Sequence, residues 1–391
     1  VKTKCPASRI TEMLLNPGAS YQRNGTEQVY PDIRLIHNAG GNFLSHHQNT
    51  NELIAALNAQ VETFVCQDPW WCASARFADI VLPATTTLER NDIGSGGTYS
   101  NDKIYAMQQV IEPLGESLDD HEIFRQLAAK LGVEAPFTEG MTVEGIIADA
   151  YQNSSATMPF DEFWEQGVTQ LDIPASARHW VRHGDFYRDP VANPLHTASG
   201  KIELYCETIA GFNAEGCPPM PKWIEPIEYL GNAEAGEVHV LSPHPFMRLH
   251  SQMANTTLRD EESVQGRQHV LINRTDADAA NIQDGDLIEL YNERGSVIAG
   301  ARLTDEIVPG VVTLEEGQWI QLDSQGRCNS GSINMITTSK ACSELSQASS
   351  ANTCVAYLKK CTDSESPNRA FDPPATEPSN VTIDMESMNL L

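Results

Sequence analysis

Ile33-Arg34-Leu35-Ile36-His37-Asn38-Ala39-Gly40-Gly41-Asn42 is a largely apolar run that closes on two glycines and an asparagine. The run has the length of one buried strand, and the glycines let the chain turn where backbone must approach another group closely. Asn49 or Thr50 then offers an N-cap to a helix carrying Leu53, Ile54, Ala56 and Leu57. A second strand follows from Val61 to Cys66 and ends at Asp68. The segment Ala73 to Phe77 leads to a third strand, Asp79 to Leu82, stopped by Pro83. Strand, helix, strand, short helix, strand predicts a parallel α/β unit. Ligands sit at the carboxyl ends of such strands, and here those ends carry Gly40-Gly41-Asn42 and Asp68. Backbone amides of a glycine turn suit a pyrophosphate, and a carboxylate suits ribose hydroxyls or a guanine edge. Gly-Gly-Asn is not the GxGxxG pattern, so nucleotide binding and an ordinary βα turn both stay open.

Downstream, Asp119 and Asp120 precede Ile123, Phe124, Leu127, Ala128 and Leu131 at helical spacing, closed by Gly132. Residues 118–165 read as helical. Thr197 to Tyr205 reads as a turn into an alternating strand, and the proline-rich Pro218 to Pro226 as a linker. From Val238 the texture is short strands with glycine turns: Val238–Leu241, Val270–Ile272, Leu287–Tyr291 and a hairpin return over Ser296–Leu303, with one brief helix at Asp276–Ala280. Val308-Pro309-Gly310-Val311-Val312 adds another turn and strand. That pattern predicts a small β-barrel. The last stretch, 362–391, holds six acids, one arginine and four prolines and reads as a disordered acidic tail.

The 391 residues are enough for two or three domains, with cores large enough to need no metal or disulfide staple. Twenty-six basic against 53 acidic residues give a formal net charge of −27. Binding to nucleic-acid phosphates needs a basic footprint, and docking on anionic lipid needs polybasic segments; neither is present. No apolar run reaches the length of a transmembrane helix. The sequence starts at Val1 on a segment that already carries an apolar face, Ile10, Met13, Leu14 and Leu15, and is expected to be a piece of a longer protein. Nine cysteines without a CxxC pair suggest neither a zinc ribbon nor a disulfide framework. A Cys66 or Cys72 nucleophile has no base beside it in sequence. His37, His46 and His47 invite a metal reading, but neighbouring His46 and His47 do not easily converge on one ion.

Taken together, several motifs resemble the dimethyl sulfoxide reductase family of molybdenum enzymes, nearest to its trimethylamine-N-oxide and biotin sulfoxide reductases. They are Ala39-Gly40-Gly41-Asn42 with His46-His47-Gln48, Asp68 with Trp71, Ala75-Arg76-Phe77-Ala78-Asp79-Ile80-Val81-Leu82-Pro83-Ala84, and Glu89-Arg90-Asn91-Asp92. Later come Ser199-Gly200-Lys201-Ile202-Glu203, Ser242-Pro243-His244-Pro245 with Arg248-Leu249-His250-Ser251-Gln252, Asn292-Glu293-Arg294-Gly295, and Gln347 with Ala351-Asn352-Thr353, in the family's order. The resemblance covers nearly all of the chain to about Lys360.

It implies a Rossmann-like parallel-sheet cofactor region over 1–232 and a C-terminal β-barrel of double-psi type over 233–361. It implies molybdenum held between two molybdopterin guanine dinucleotides, with reduction of a small N-oxide or S-oxide, trimethylamine N-oxide foremost. Electrons would come from a c-type cytochrome, in the periplasm. By position in the motifs, Gly40, Gly41, Asn42, His46, His47 and Gln48 would lie near a pyrophosphate. Asp68 would read guanine or its ribose, with Ser74 and Arg76 beside it. Arg76 could equally be an ordinary helix-end salt bridge. His244, Arg248, His250, Ser251 and Gln252 would close over the pterins, as would Gln347, Ser350 and Asn352. Phe43 and Cys72 depart from the family's usual proline and hydroxyl. The serine that holds molybdenum in this subfamily lies ahead of Val1, so no metal ligand or catalytic group is assigned, and this chain would need that missing half to turn over substrate. A non-catalytic cofactor-binding module and a thiol hydrolase are the alternatives.

Overall fold

A computed structural model describes residues 4–96, 101–350, 352–364 and 368–374. Three parallel strands, β1 (Leu35–Ala39), β2 (Thr63–Asp68) and β3 (Ile80–Pro83), lie in the order β1-β2-β3. Ile36 pairs with Phe64, Asn38 with Cys66 and Cys66 with Val81. Helix α1 (Thr50–Gln60) crosses from β1 to β2, and α2 (Ala73–Phe77) from β2 to β3. Leu53, Ala56 and Leu57 of α1 are buried against Phe64 and Cys66. The α/β unit therefore forms as the apolar pattern dictates.

One strand differs from expectation. The run ending in Gly40 was expected to be buried, yet Leu35 is 60% exposed. It occupies a sheet edge with a partner on one side only, and β2 is the buried strand.

Six later strands close into a barrel: β4 (Glu237–Leu241), β5 (Arg267–Asn273), β6 (Leu287–Asn292), β7 (Gly295–Thr304), β8 (Val311–Leu314) and β9 (Val355–Lys360). Each pairs with two others, in the cyclic order β4-β8-β5-β7-β6-β9 and back to β4. The pairs β5–β7 and β4–β8 are parallel and the rest antiparallel. Closure leaves no strand edge to protect. Val240, Val270, Ile272, Ile288, Leu290, Val297, Val312 and Leu314 fill the interior. The expected mixed architecture, a parallel α/β lobe followed by a double-psi type barrel, is present.

Other expectations fail. Thr197–Tyr205 makes its turn at Gly200 (φ +69°) but no strand follows. Ile202 and Leu204 are both largely exposed, and among the described residues no strand pairs with this segment. Residues 118–165 are not helical throughout: Asp119 caps Asp120–Lys130, and two further helices, Val143–Gln152 and Phe160–Gln166, pack on an antiparallel sheet of Asp92–Ser95, Lys103–Met107 and Val168–Gln170. The tail expectation fails for 368–374. Ala370 is fully buried, Phe371 packs on Trp319 with ring centroids 5.6 Å apart, and the Arg259 guanidinium lies 4.1 Å over the Phe371 ring. An apolar pair anchors this piece despite its acidic, proline-rich surroundings. The rest of that stretch beyond 374 lies outside the described residues.

Candidate functional site

A cleft of about 550 Å³ opens between the carboxyl end of the parallel sheet and the loops above the barrel. Gly40, Gly41, Asn42, His46, Asp68, Trp70 and Cys72 line one wall; His250, Ser251, Gln252, Thr256 and Trp319 line the other.

The glycine turn supplies the first wall. Gly40 and Gly41 have φ of +72° and +83°, a region that glycine alone enters without strain. The Gly40 amide donates to Gln67 O at 2.9 Å, and Asn38 Nδ2 donates to Gly41 O at 2.8 Å. Among the described residues, the amides of Gly41 and Asn42 donate to no partner. The Asn42 carboxamide is buried; its Oδ1 accepts from Ser74 Oγ at 3.1 Å, and Ser74 Oγ in turn accepts from Leu44 N at 3.1 Å. Ser74 thus fastens the turn to α2, and its fully buried hydroxyl is spent there, away from the cleft.

Asp68 ends β2. Its Oδ1 accepts from Trp70 N at 2.8 Å. Burial pushes this carboxyl above the usual carboxylate range, opposed by the hydrogen bonds from Trp70 N and Cys72. Trp70 stands 52% exposed beside it. Arg76 makes no ion pair among the described residues, against the salt-bridge reading. Its Nε donates to Trp71 O at 3.3 Å, and its Nη2 is buried without a partner.

The second wall rests on Arg248, whose side chain is fully buried. Its Nη1 donates to His250 O at 2.6 Å and to Glu316 O at 2.7 Å; its Nη2 donates to Gln268 Oε1 at 2.9 Å. One guanidinium so clamps two loops. Gly317 (φ +86°) fits against the His250 backbone so tightly that a Cβ there would lie 2.3 Å from His250 C and O. Glu316 Oε1 accepts from His244 Nδ1 at 2.8 Å and from His250 Nδ1. Burial pushes Glu316 up, but these two ring hydrogen bonds outweigh it and leave its pKa below the ordinary value. With Nδ1 engaged, Nε2 of each ring is the nitrogen left to offer. Ser251 Oγ meets His46 Nε2 at 2.9 Å across the cleft, and Ser251 O accepts from Trp319 Nε1 at 2.9 Å. Desolvation in the cleft lowers the His46 pKa, so His46 meets Ser251 as a neutral imidazole near pH 7.

The structure does not bring all the sequence candidates to this cleft. His47 packs against Phe43 with ring centroids 4.3 Å apart and the rings tilted by 55°, and burial takes its pKa down to about 4. Gln48 is half-buried on the approach to α1 and does not line the cleft. Gln347 is buried away from it: its Nε2 donates to Gln22 O at 2.7 Å and Glu344 O at 2.9 Å, pinning a barrel loop to the hairpin of Ser20–Arg23 and Thr26–Val29. Ser350 and Asn352 border a second cleft of about 480 Å³ with Lys340 and Thr353. Asn352 Oδ1 also accepts from Ser242 N at 2.8 Å, so it anchors the start of the His244 loop. Glu316, Gln268 and Trp319 escaped the sequence reading. The signal for them was Glu315-Glu316-Gly317 directly after β8, an acidic pair and a glycine at a barrel strand end.

Two family models match. "Molybdopterin oxidoreductase" matches residues 14–130 and "Molydopterin dinucleotide binding domain" matches residues 238–355. They fall on the two lobes that form the cleft. This chain belongs to the molybdopterin oxidoreductases. It is 41% identical over 385 residues to a dimethyl sulfoxide/trimethylamine N-oxide reductase of Cereibacter sphaeroides, covering 95% of this chain and 47% of that protein. It is 40% identical to a trimethylamine-N-oxide reductase of Haemophilus influenzae (92% and 45% covered) and 41% identical to a biotin sulfoxide reductase of Cereibacter sphaeroides (90% and 48%). The chain therefore spans about half the length of these relatives. Among solved structures, acetylene hydratase from Pelobacter acetylenicus superposes with a TM-score of 0.65 at 19% identity, over 85% of this chain and 45% of that one. That likeness concerns the fold.

The cofactor of such a molybdopterin oxidoreductase is molybdenum with molybdopterin guanine dinucleotide. The residues present fit it: free amides and a carboxylate on one wall and imidazole nitrogens on the other are the donors and acceptors that a pyrophosphate, a guanine edge and a pterin require. Among the described residues no helix is long and apolar enough to cross a membrane.

Proposed function

We propose that this chain is the C-terminal part of a molybdenum oxotransferase that reduces an N-oxide or S-oxide, with trimethylamine N-oxide the preferred substrate. In this reading the α/β region runs over 1–232 and the barrel domain over 233–361, and a missing N-terminal half completes the active centre. Held between the two walls of the cleft, molybdenum with two molybdopterin guanine dinucleotides would supply the two-electron oxygen-atom transfer chemistry.

The chain's own residues bind and orient that group. Asp68 accepts hydrogen bonds from the guanine edge or ribose, and Trp70 offers a ring to stack on. The amides of Gly41 and Asn42 face the pyrophosphate. His250, Ser251 and Gln252 line the opposite wall, His46 reaches across to Ser251, and the rings of His244 and His250 are held by Glu316 with Nε2 outward. His244, Ser350 and Asn352 extend the contact toward the second cleft, and Gln347 and Arg248 act as positioning residues behind the two loops. The acidic net charge of −27 would steer encounter with a cationic c-type cytochrome in the periplasm.

The observation that carries the reading is the cleft between two lobes, each matched by its own molybdopterin family model. Molybdenum and pterin analysis of the complete protein, followed by rates with trimethylamine N-oxide, dimethyl sulfoxide and biotin sulfoxide, tests it. Metal-loaded protein fastest on trimethylamine N-oxide is the expected result. Metal-loaded protein inert toward all three oxides would contradict the oxotransferase reading.

A further inference from the structure

His244 and Glu316 meet because the two barrel strands that lead to them run side by side. Strands β4 and β8 are parallel, with Val240 opposite Val312 and Leu241 opposite Thr313. The residues beyond keep step: Glu316 N donates to Pro243 O at 3.2 Å, and His244 comes to face Glu316. His250 arrives from the next loop on a backbone of φ +52°, in the left-handed region that is costly for a residue with a side chain. His244 Nδ1 lies 2.8 Å from Glu316 Oε1, and His250 Nδ1 hydrogen-bonds the same oxygen. One nitrogen of each ring and a carboxylate oxygen of Glu316 lie within 4.8 Å of one another. The two rings cross edge to face with centroids 4.8 Å apart. Arg248 Nη1 fixes two of the three residues from behind, donating to His250 O and Glu316 O. His46 stands edge-on to His250 at 5.9 Å, but its Nε2 is engaged with Ser251 Oγ, which leaves it outside the group. His250 lines the cleft between the lobes; His244 and Glu316 do not.

We propose that His244, His250 and Glu316 bind one zinc-class divalent ion, through Nδ1 of each ring and Oε1 of the carboxylate, with water as the fourth ligand. Two imidazole nitrogens and one carboxylate oxygen are a borderline donor set. They suit Zn2+ and neighbouring transition metals, whereas Mg2+ and Ca2+ take shells of oxygen and Cu+ takes sulfur. Without the ion, a proton on each Nδ1 occupies the space between ring and carboxylate. Zinc bonds of about 2.0 to 2.2 Å set tetrahedral ligands about 3.3 Å apart, so the His244 ring need withdraw from its 2.8 Å contact by only about half an ångström. The His244 side chain is 76% exposed, so that ring has room to move and water reaches the fourth position. Each ring keeps one proton, which passes through solvent from Nδ1 to Nε2, and Glu316 exchanges two hydrogen bonds for one metal bond. The Arg248 clamp supplies the support behind the ligands that keeps a metal site in shape. The ion ties two barrel-strand ends to the His250 loop. Because it uses Nδ1, Nε2 of both rings stays free for the cofactor contacts proposed above, and the ion site does not depend on those contacts.

The test uses the complete protein, freed of loosely held metal with a chelator and then titrated with Zn2+ by calorimetry and with Co2+ by visible absorption. The wild type should bind one more equivalent of either ion than His244→Ala or Glu316→Gln, and its cobalt form should show the intense visible bands of a four-coordinate ion. Glu316→Gln keeps an oxygen that accepts from both rings but loses the charge, so it separates coordination from hydrogen bonding. His244→Ala removes an exposed ring and keeps the test open if Glu316→Gln does not fold. In each variant the affinity of this site should fall by more than the roughly 10- to 100-fold that losing a supporting group costs. Equal stoichiometry and affinity in the wild type and the folded variants, as an adventitious surface ion would give, overturn the site. So does the weak spectrum of a six-coordinate, water-rich cobalt ion. Molybdenum content of the same samples reports on the cofactor reading separately. Protein that loads molybdenum and binds no extra zinc refutes the ion site alone; protein that binds the zinc and never loads molybdenum refutes the cofactor reading alone.

Discussion

Arg248 and its neighbours show how single side chains hold the cleft's second wall. The guanidinium satisfies two backbone carbonyls and Gln268, while its Nε faces Glu262 Oε2 at 3.8 Å with neither atom hydrogen-bonded. Arg248→Ala would strand Glu262 and both carbonyls in the interior, and breaking a buried pair from one side costs about 3–5 kcal/mol. Denaturant unfolding should show a loss of that order; a loss within error would remove Arg248 from its clamping role. Glu315, close by, is pushed up to about 7, first by burial and then by Glu262, against the pull of Arg248. The folded state thus holds a proton that the unfolded chain has released once the pH exceeds its ordinary carboxyl range. The stability associated with that proton is present below that range and is lost as pH rises toward 7. Glu315→Gln should therefore gain on the wild type in thermal midpoint from pH 5 to pH 8, and a constant difference would contradict the shift. Asp68 and the glycine pair were legible because strand ends and glycines leave local signals. Glu316, Gln268 and Trp319 were not, because their partners lie up to 68 residues away. Ser74 sat beside a good candidate in sequence, and only packing shows its hydroxyl turned toward Asn42.

At the level of elements, the parallel unit was readable because each strand and helix declares its period within a few residues. The barrel was readable in outline for the same reason: its glycine turns and short apolar runs are local. The antiparallel sheet was not, since Lys103–Met107 finds its outer partner at Val168–Gln170, across four helices. The strand expected after Gly200 fails in the opposite sense, having a fair alternating pattern and nothing to pair with. Glycines in the barrel loops allow a controlled comparison. Gly285 and Gly317 both have φ above +80°, but a Cβ at Gly285 meets nothing within 4 Å while one at Gly317 strikes the His250 backbone. Gly285→Ala should cost only the backbone strain, on the order of 1 kcal/mol. Gly317→Ala should cost clearly more and displace the His250 loop, seen as altered histidine proton resonances. Equal destabilisation by the two would show that the close approach carries no weight.

In the whole molecule the two lobes share apolar packing. Trp319 and Ala254 from the barrel side, with Ala370 from the end of the described chain, are buried in the same cluster as Leu53, Leu57 and Phe64. Trp319→Ala removes a buried aromatic, worth about 3–5 kcal/mol. It should lower the unfolding midpoint seen by probes in both lobes; a change confined to the barrel would deny that the lobes are coupled. The charge of −27 makes a different kind of prediction. Raising ionic strength should slow reduction of the complete enzyme by a cationic cytochrome far more than by an uncharged dye, and matching slopes would leave the charge with no steering role. The measurement closest to the central claim is the guanine nucleotide and molybdenum content of the complete protein, wild type beside Asp68→Ala. The account predicts two guanine nucleotides per molybdenum in the wild type, with both falling together in the variant. Undiminished loading in Asp68→Ala would contradict it.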